Sequence, residues 1–227
     1  MRLGTRRWEG IIFDCDGVLL DTEECWTRAE EALFTSHGMG FTLEHKRSLL
    51  GVGGRAAGEQ LERMLGLPGG ADMLLAELHE LTRWEFATTA SATEGAIDLL
   101  RELTGEFRIG LASNTPWELV EVALSRAKVN TDSFGAIVCA DEVLRPKPAP
   151  DLYEAACSQL DVAASRSLGL EDSPTGVSAA KAAGLAIVGV PSVPGVQLDA
   201  DWIFPTLADP ELYALLGLDA SAGASQL

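Results

Sequence analysis

A break in the chain's periodicity is the feature that most restricts its fold. A short apolar run, Gly10-Ile11-Ile12-Phe13, stops at a charged turn, as a buried parallel strand does. From residue 21 to residue 90 the apolar side chains recur instead at helical spacing: Trp26, Ala29 and Leu33, then Ala57, Leu61, Met64 and Leu65, then Leu74, Leu78 and Leu81. This block predicts several helices and no strand. From Ser91 onward strand-like and helical segments alternate, with strands expected at 108–112, 136–139, 167–170 and 185–190 and helices at 96–103, 117–127, 150–160 and 174–183. Ser173 before Pro174 reads as an N-cap followed by proline at the first helical position, and Gly184 sits where a helix-ending glycine belongs. The fold class that follows is α/β: a doubly wound, Rossmann-like parallel sheet built from residues 1–21 and 91–227, with residues 22–90 inserted as an all-helical cap domain. The Ala/Ser/Gly tail after Leu218 is expected to fray.

With 227 residues, 47% of them apolar, the chain can bury a core large enough for this arrangement. A formal charge of -17 with no compensating Lys/Arg run repels polyphosphate backbones, which argues against nucleic acid as a partner. Apolar stretches such as 185–190 are far too short to span a bilayer, and residues 1–9 show no apolar signal region, so no membrane partner and a cytoplasmic location are expected. The four cysteines lack C-x-x-C spacing and point to buried free thiols rather than a zinc site or disulfides.

Polar chemistry gathers where the apolar strands end. Asp14-Cys15-Asp16-Gly17-Val18 follows the first strand; two carboxylates so close repel each other unless a cation lies between them, and a hard divalent ion such as Mg²⁺ suits oxygen ligands. An Asp-Gly turn with exposed acids fits that fragment equally well. Ser113-Asn114-Thr115 precedes a helix start, where hydroxyl and amide groups beside free N–H groups can cradle a phosphate or simply cap the helix. Arg145-Pro146-Lys147-Pro148-Ala149-Pro150 holds a lysine on a stiff loop, able to neutralise a transferred phosphoryl group. Glu171-Asp172-Ser173 brings two more acids to the same sheet edge. Each fragment is weak, but the four in this order are specific.

Taken together they resemble the haloacid dehalogenase-like superfamily. Phe13-Asp14-Cys15-Asp16-Gly17-Val18-Leu19-Leu20-Asp21-Thr22-Glu23 is similar to its first motif and Leu111-Ala112-Ser113-Asn114 to its second. Lys147-Pro148-Ala149-Pro150-Asp151-Leu152-Tyr153 is similar to the third, and Gly169-Leu170-Glu171-Asp172-Ser173-Pro174-Thr175-Gly176-Val177 to the fourth. The helical insert resembles the small cap of the subgroup containing β-phosphoglucomutases and phosphoglycolate phosphatase-like enzymes. The resemblance runs from about Gly10 to Gly195.

It implies an Mg²⁺-dependent phosphatase acting on a small organic phosphate monoester, a sugar phosphate or a phosphoglycolate-like compound. Asp14 would be the nucleophile that forms an aspartyl-phosphate, and Asp16 the acid and base, its backbone carbonyl on the metal. Ser113 and Asn114 would hold phosphoryl oxygens and Lys147 would offset negative charge. Asp14, Asp16 and Asp172, with Glu171 directly or through water, would hold Mg²⁺. Leu50-Gly51-Val52-Gly53-Gly54-Arg55 looks like a substrate-specificity loop in which Arg55 pairs with a polar or anionic substrate group, or else a turn followed by a helix-starting arginine. Trp26, Trp84 and Trp117 either line the cleft or pack in the cores. His37, His45 and His79 lie in the insert, away from the four motifs, and are assigned no catalysis.

Three alternatives stand beside the phosphatase. A mutase would return the phosphoryl group to a sugar, but β-phosphoglucomutases carry a histidine where Thr22-Glu23-Glu24-Cys25-Trp26 has none. A metal-free dehalogenase would not be expected to keep Asp16 together with Glu171 and Asp172. A non-enzymatic phosphate-accepting regulator is expected to be shorter and uncapped. A capped chain of this kind is expected to act as a monomer.

Overall fold

The computed structural model describes residues 8–193 and 195–218, so the tail beyond Leu218 lies outside the described residues. In chain order the elements are β1 (Gly10–Phe13), β2 (Leu20–Asp21), α1 (Glu23–Ser36), α2 (Leu43–Leu49), α3 (Gly54–Leu65), α4 (Ala71–Thr89), β3 (Ser91–Ala92), α5 (Ala96–Leu103) and β4 (Arg108–Ser113). There follow α6 (Trp117–Arg126), β5 (Ala136–Cys139), α7 (Asp151–Leu160), β6 (Ser167–Glu171), α8 (Pro174–Ala182), β7 (Ala186–Gly189), β8 (Trp202–Ile203) and α9 (Pro210–Leu216).

Six strands form one sheet in the order β5-β4-β1-β6-β7-β8, with every pair parallel. Parallel neighbours require crossovers, and the helices that supply them cover both faces. Side-chain alternation shows this directly in β1: Ile11 and Phe13 join the core shared with α5, α6 and α9, whereas Ile12 joins the core under α7 and α8. The chain winds outward from β1 to β4 and β5, then returns to β6 on the other side of β1. That reversal opens a crevice at the carboxyl ends of β1 and β6.

Register aligns the ends. Phe13 pairs with Leu111 on β4 and with Leu170 on β6, so Asp14 emerges beside Glu171 and level with Ala112, one residue before Ser113. Ser173 caps α8 by accepting from the Gly176 N–H at 3.0 Å, with proline at the helix start as the sequence indicates. All four cysteines are buried and free.

Helices α1 to α4 have an apolar core of their own, formed by Ala29, Leu33, Phe34, Leu49, Leu61, Leu65, Leu74 and Leu78. Burying a leucine such as Leu61 or Leu74 contributes about 1.5–3 kcal/mol, enough to hold short helices that would not persist alone. The expectation of no strand from residue 21 to residue 90 needs one correction at its edge. Leu20 and Asp21 pair antiparallel with Ala92 and Ser91, joining the chain where it leaves and re-enters the sheet layer. Two-residue strands carry no readable periodicity. For the same reason β8 was not foreseen, nor was the short α9. Among the described residues no helix is long and apolar enough to cross a membrane.

Candidate active site

Asp14 leaves β1 with its backbone N–H donating to the Leu170 carbonyl, 2.9 Å away, which fixes it against β6. Its carboxylate accepts from the Lys147 ammonium, which also donates to Glu171 Oε1 at 2.7 Å. The Tyr153 hydroxyl donates to the same glutamate oxygen, and the Ser192 hydroxyl donates to Asp172. Asp14, Glu171 and Asp172 each present an oxygen within 4.8 Å of the others, and all three are buried. No room is left beside Glu171: a Cβ on Gly176 would stand 1.9 Å from Oε2.

Three buried carboxylates face one buried ammonium, which leaves a surplus of negative charge in a low-dielectric setting. Burial pushes the Asp14 carboxyl well above the usual range, against the pull of Lys147, with Glu171 and Asp172 pushing further in the same direction. Asp172 is pushed up to about 8, again chiefly by burial and then by Glu171. Burial alone would depress Lys147, but Asp14 and Glu171 outweigh it and hold the ammonium charged. An all-oxygen donor set with unbalanced negative charge fits a hard divalent cation.

Asp16 does not point into this cluster. Its carboxylate accepts from Thr22 Oγ1 at 2.7 Å, Trp26 Nε1 at 3.0 Å and Thr115 Oγ1 at 2.8 Å, with Ser113 Oγ at the limit of 3.5 Å. The metal role expected for Asp16 runs through its backbone carbonyl, which leaves this carboxylate to other work. Asn114 is committed as well: its amide donates to the carbonyls of Lys147 and Gly51, both at 3.2 Å, and its oxygen accepts from the Lys147 N–H at 2.8 Å. Its immediate work is to hold the lysine loop and to tie it to the helical block, rather than to present a free amide to phosphate.

The cleft beyond these residues is walled by the helical block. Leu50, Gly51, Val52, Gly53 and Gly54 line it with Trp26, Ala57, Leu75 and Leu78. Close approach explains Gly53, where a Cβ would meet the Asn114 carbonyl oxygen at 2.8 Å. Arg55, expected either to reach substrate or to start a helix after a turn, is not brought to the cleft; it is exposed and bonds Glu59 one helical turn on, at 2.8 Å. A helix-starting arginine next to an acid four residues later is satisfied locally. His79 departs from expectation in the other direction. It lines the cleft despite its sequence distance from the four motifs, and burial holds its imidazole below the usual value. His37 pairs with Glu77 and His45 caps α2, and neither lines the cleft. Trp84 is exposed and Trp117 packs against the main core.

Sequence reasoning passed over several partners. Thr22 and Tyr153 stand inside the quoted motifs but drew no role, and Thr115 is legible only as part of a phosphate cradle or helix cap, because their function depends on which carboxylate they face. Ser192 lies past β7 and had no signal at all.

Residues 11–190 match the sequence profile of the haloacid dehalogenase-like hydrolases. The chain belongs to that family. It is similar to Protein CbbY of Cereibacter sphaeroides, 33% identical over 94% of this chain and 98% of that protein. It is also similar to the validoxylamine A 7'-phosphate phosphatase of Streptomyces hygroscopicus subsp. limoneus, 33% identical over 79% of this chain and 84% of that one. Among solved structures it resembles a CbbY variant from Rhodobacter sphaeroides in complex with xylulose-(1,5)bisphosphate. The TM-score is 0.79 and the identity 28%, over 89% of this chain and 96% of that one.

Proposed function

We propose that this haloacid dehalogenase-like hydrolase is an Mg²⁺-dependent phosphatase of small organic phosphate monoesters, sugar phosphates foremost, working through a phosphorylated Asp14. The observation that carries the reading is the buried group of Asp14, Lys147, Glu171 and Asp172 beside a separately held Asp16. Phosphatase names among the relatives support the same reaction class.

Asp14 attacks phosphorus and expels the alcohol, dividing one hard displacement into two easier ones. Lys147 keeps Asp14 oriented, favours its ionised form against the burial that opposes it, and carries positive charge to the phosphoryl oxygens. Ser113 offers its hydroxyl to those oxygens, while Asn114 fixes the lysine loop. Asp16, gripped by Thr22, Trp26 and Thr115, protonates the leaving alkoxide and then takes a proton from the water that hydrolyses the aspartyl-phosphate. Mg²⁺, held by Asp14, Asp172 and the Asp16 carbonyl with Glu171 directly or through water, would supply the charge that lets these carboxylates ionise together and neutralises the phosphoryl group. Residues 22–90 act as a cap domain that closes the site off from bulk water, over a core of residues 1–21 and 91–227. We further propose a cytoplasmic monomer that acts on small molecules without nucleic acid or membrane.

The test is phosphate release from a panel of phosphate esters with Mg²⁺ and with EDTA, following sugar-phosphate isomers in the same samples. Release that depends on Mg²⁺ supports the phosphatase. Isomer interconversion with little release makes the enzyme a mutase, and turnover that ignores EDTA rejects the metal role.

A further inference from the structure

The cleft holds a second charged cluster, set apart from the acids at the sheet edge. Lys46 on α2 lies 3.2 Å from Glu23 and 3.2 Å from Glu30, both on α1. The three line the same cavity as Asp14, Asp16 and Lys147. Glu30 is only 5% exposed, and the oxygens that face Lys46 on both glutamates have no aligned hydrogen-bond donor. Both oxygens are turned to the ammonium and away from solvent.

The cations near the cleft are already committed. Lys46 faces two carboxylates and Lys147 another two; Arg55 bonds Glu59 outside the cavity, and Arg28 pairs with Glu85 and Glu24. His79 is kept neutral by burial near physiological pH. A substrate whose phosphoryl group reaches Asp14 extends its alcohol portion along this wall. A second phosphate or a carboxylate there would have to pull Lys46 from a glutamate, leaving a buried carboxylate unpaired. A hydroxyl or an ammonium group, by contrast, brings no negative charge and leaves the pairing of Lys46 intact.

We infer that the Glu23–Lys46–Glu30 triad selects monophosphate esters whose alcohol portion is an uncharged polyol or carries an amine, and turns away bisphosphates and phosphoglycolate-type acids. The inference rests on the phosphatase reading and narrows its substrate class.

The experiment compares matched pairs, fructose 1-phosphate against fructose 1,6-bisphosphate and glycerol phosphate against phosphoglycolate, by two readouts. One is kcat/KM for phosphate release by the wild-type enzyme with Mg²⁺; the other is calorimetric binding of the same compounds to Asp14→Asn protein with Mg²⁺. The expected result is a preference of at least about tenfold for the first member of each pair in both readouts, the effect of one poorly screened like-charge contact. Glu30→Gln and Glu23→Gln should each narrow that ratio several-fold by freeing Lys46. Glu23 is the less buried of the two, so its variant decides the matter if Glu30→Gln does not fold. An equal or reversed ranking, no binding of either monophosphate, or an unchanged ratio in folded variants overturns the assignment. No phosphate release from any ester would instead count against the phosphatase reading, and the binding ranking would still judge the triad.

Discussion

Glu30 offers a stability test independent of catalysis. Burial, only partly offset by Lys46, raises its carboxyl from 4.5 to about 7, with Glu23 and Glu31 adding to the rise. The folded protein therefore binds this proton more tightly than the unfolded chain does. The resulting stability is complete below the unfolded value and is lost as pH rises through the folded one. A rise of this size spans ~3 kcal/mol in full, of which ~2 kcal/mol falls between about pH 5.5 and about pH 8. For a chain of this length each kcal/mol moves the melting temperature by about 2–4 °C, so the share due to Glu30 is a drop of roughly 4–8 °C across that interval. Glu30→Gln keeps the shape and removes the titration. Thermal melts of both proteins in saturating Mg²⁺, which masks the acids at the sheet edge, should show the wild type losing that much more stability with rising pH than the variant. Parallel pH profiles, or a wild type that gains stability relative to the variant as pH rises, would refute the reasoning.

Asp14→Asn should reduce phosphate release to background while circular dichroism and the melt remain native-like, since only the nucleophile is removed; a folded, active variant contradicts its role. Mg²⁺ at 100 times its dissociation constant should stabilise the protein by about 2.7 kcal/mol, read as a melting shift of roughly 5–10 °C that EDTA reverses; Asp172→Asn should abolish most of that shift. Thr115→Val removes a 2.8 Å donor to Asp16 without changing side-chain size, and kcat should fall about tenfold, the worth of one hydrogen bond to a charged group. Gly176→Ala forces a methyl group against the Glu171 carboxylate and should cost about 1–3 kcal/mol, measured by denaturant unfolding.

Sheet, helices and the placement of the main acids were legible because they rest on repetition and on strand ends. Gly10–Phe13, Ala136–Cys139 and Ala96–Leu103 could be bounded from apolar runs and their punctuation alone. Partners set by three-dimensional convergence were not. Nothing in the order Thr22, Trp26, Thr115 says that all three meet at Asp16, since they come from the start of α1 and the loop after β4. His79 escaped notice because sequence distance from a motif says nothing about which side of a long helix looks back into the cleft. Arg55 misled for the opposite reason: a charge near glycines suggests a ligand, yet a glutamate four residues later satisfies it first.

Two of the site's own residues also tie the helical block to the sheet. Trp26 on α1 donates to Asp16 and packs edge-on against Phe86 of α4, their rings 5.6 Å apart. Asn114 bonds Gly51 of the glycine loop while holding the backbone of Lys147. Displacing the helices would therefore remove one donor from the proposed acid–base and one restraint from the loop that carries the lysine. Closure and competence are coupled through these two side chains, so Trp26→Phe, which keeps the ring and loses the N–H, should lower kcat while leaving the Mg²⁺-induced melting shift intact. Loss of that shift as well would mean that Trp26 supports the metal cluster and not Asp16 alone.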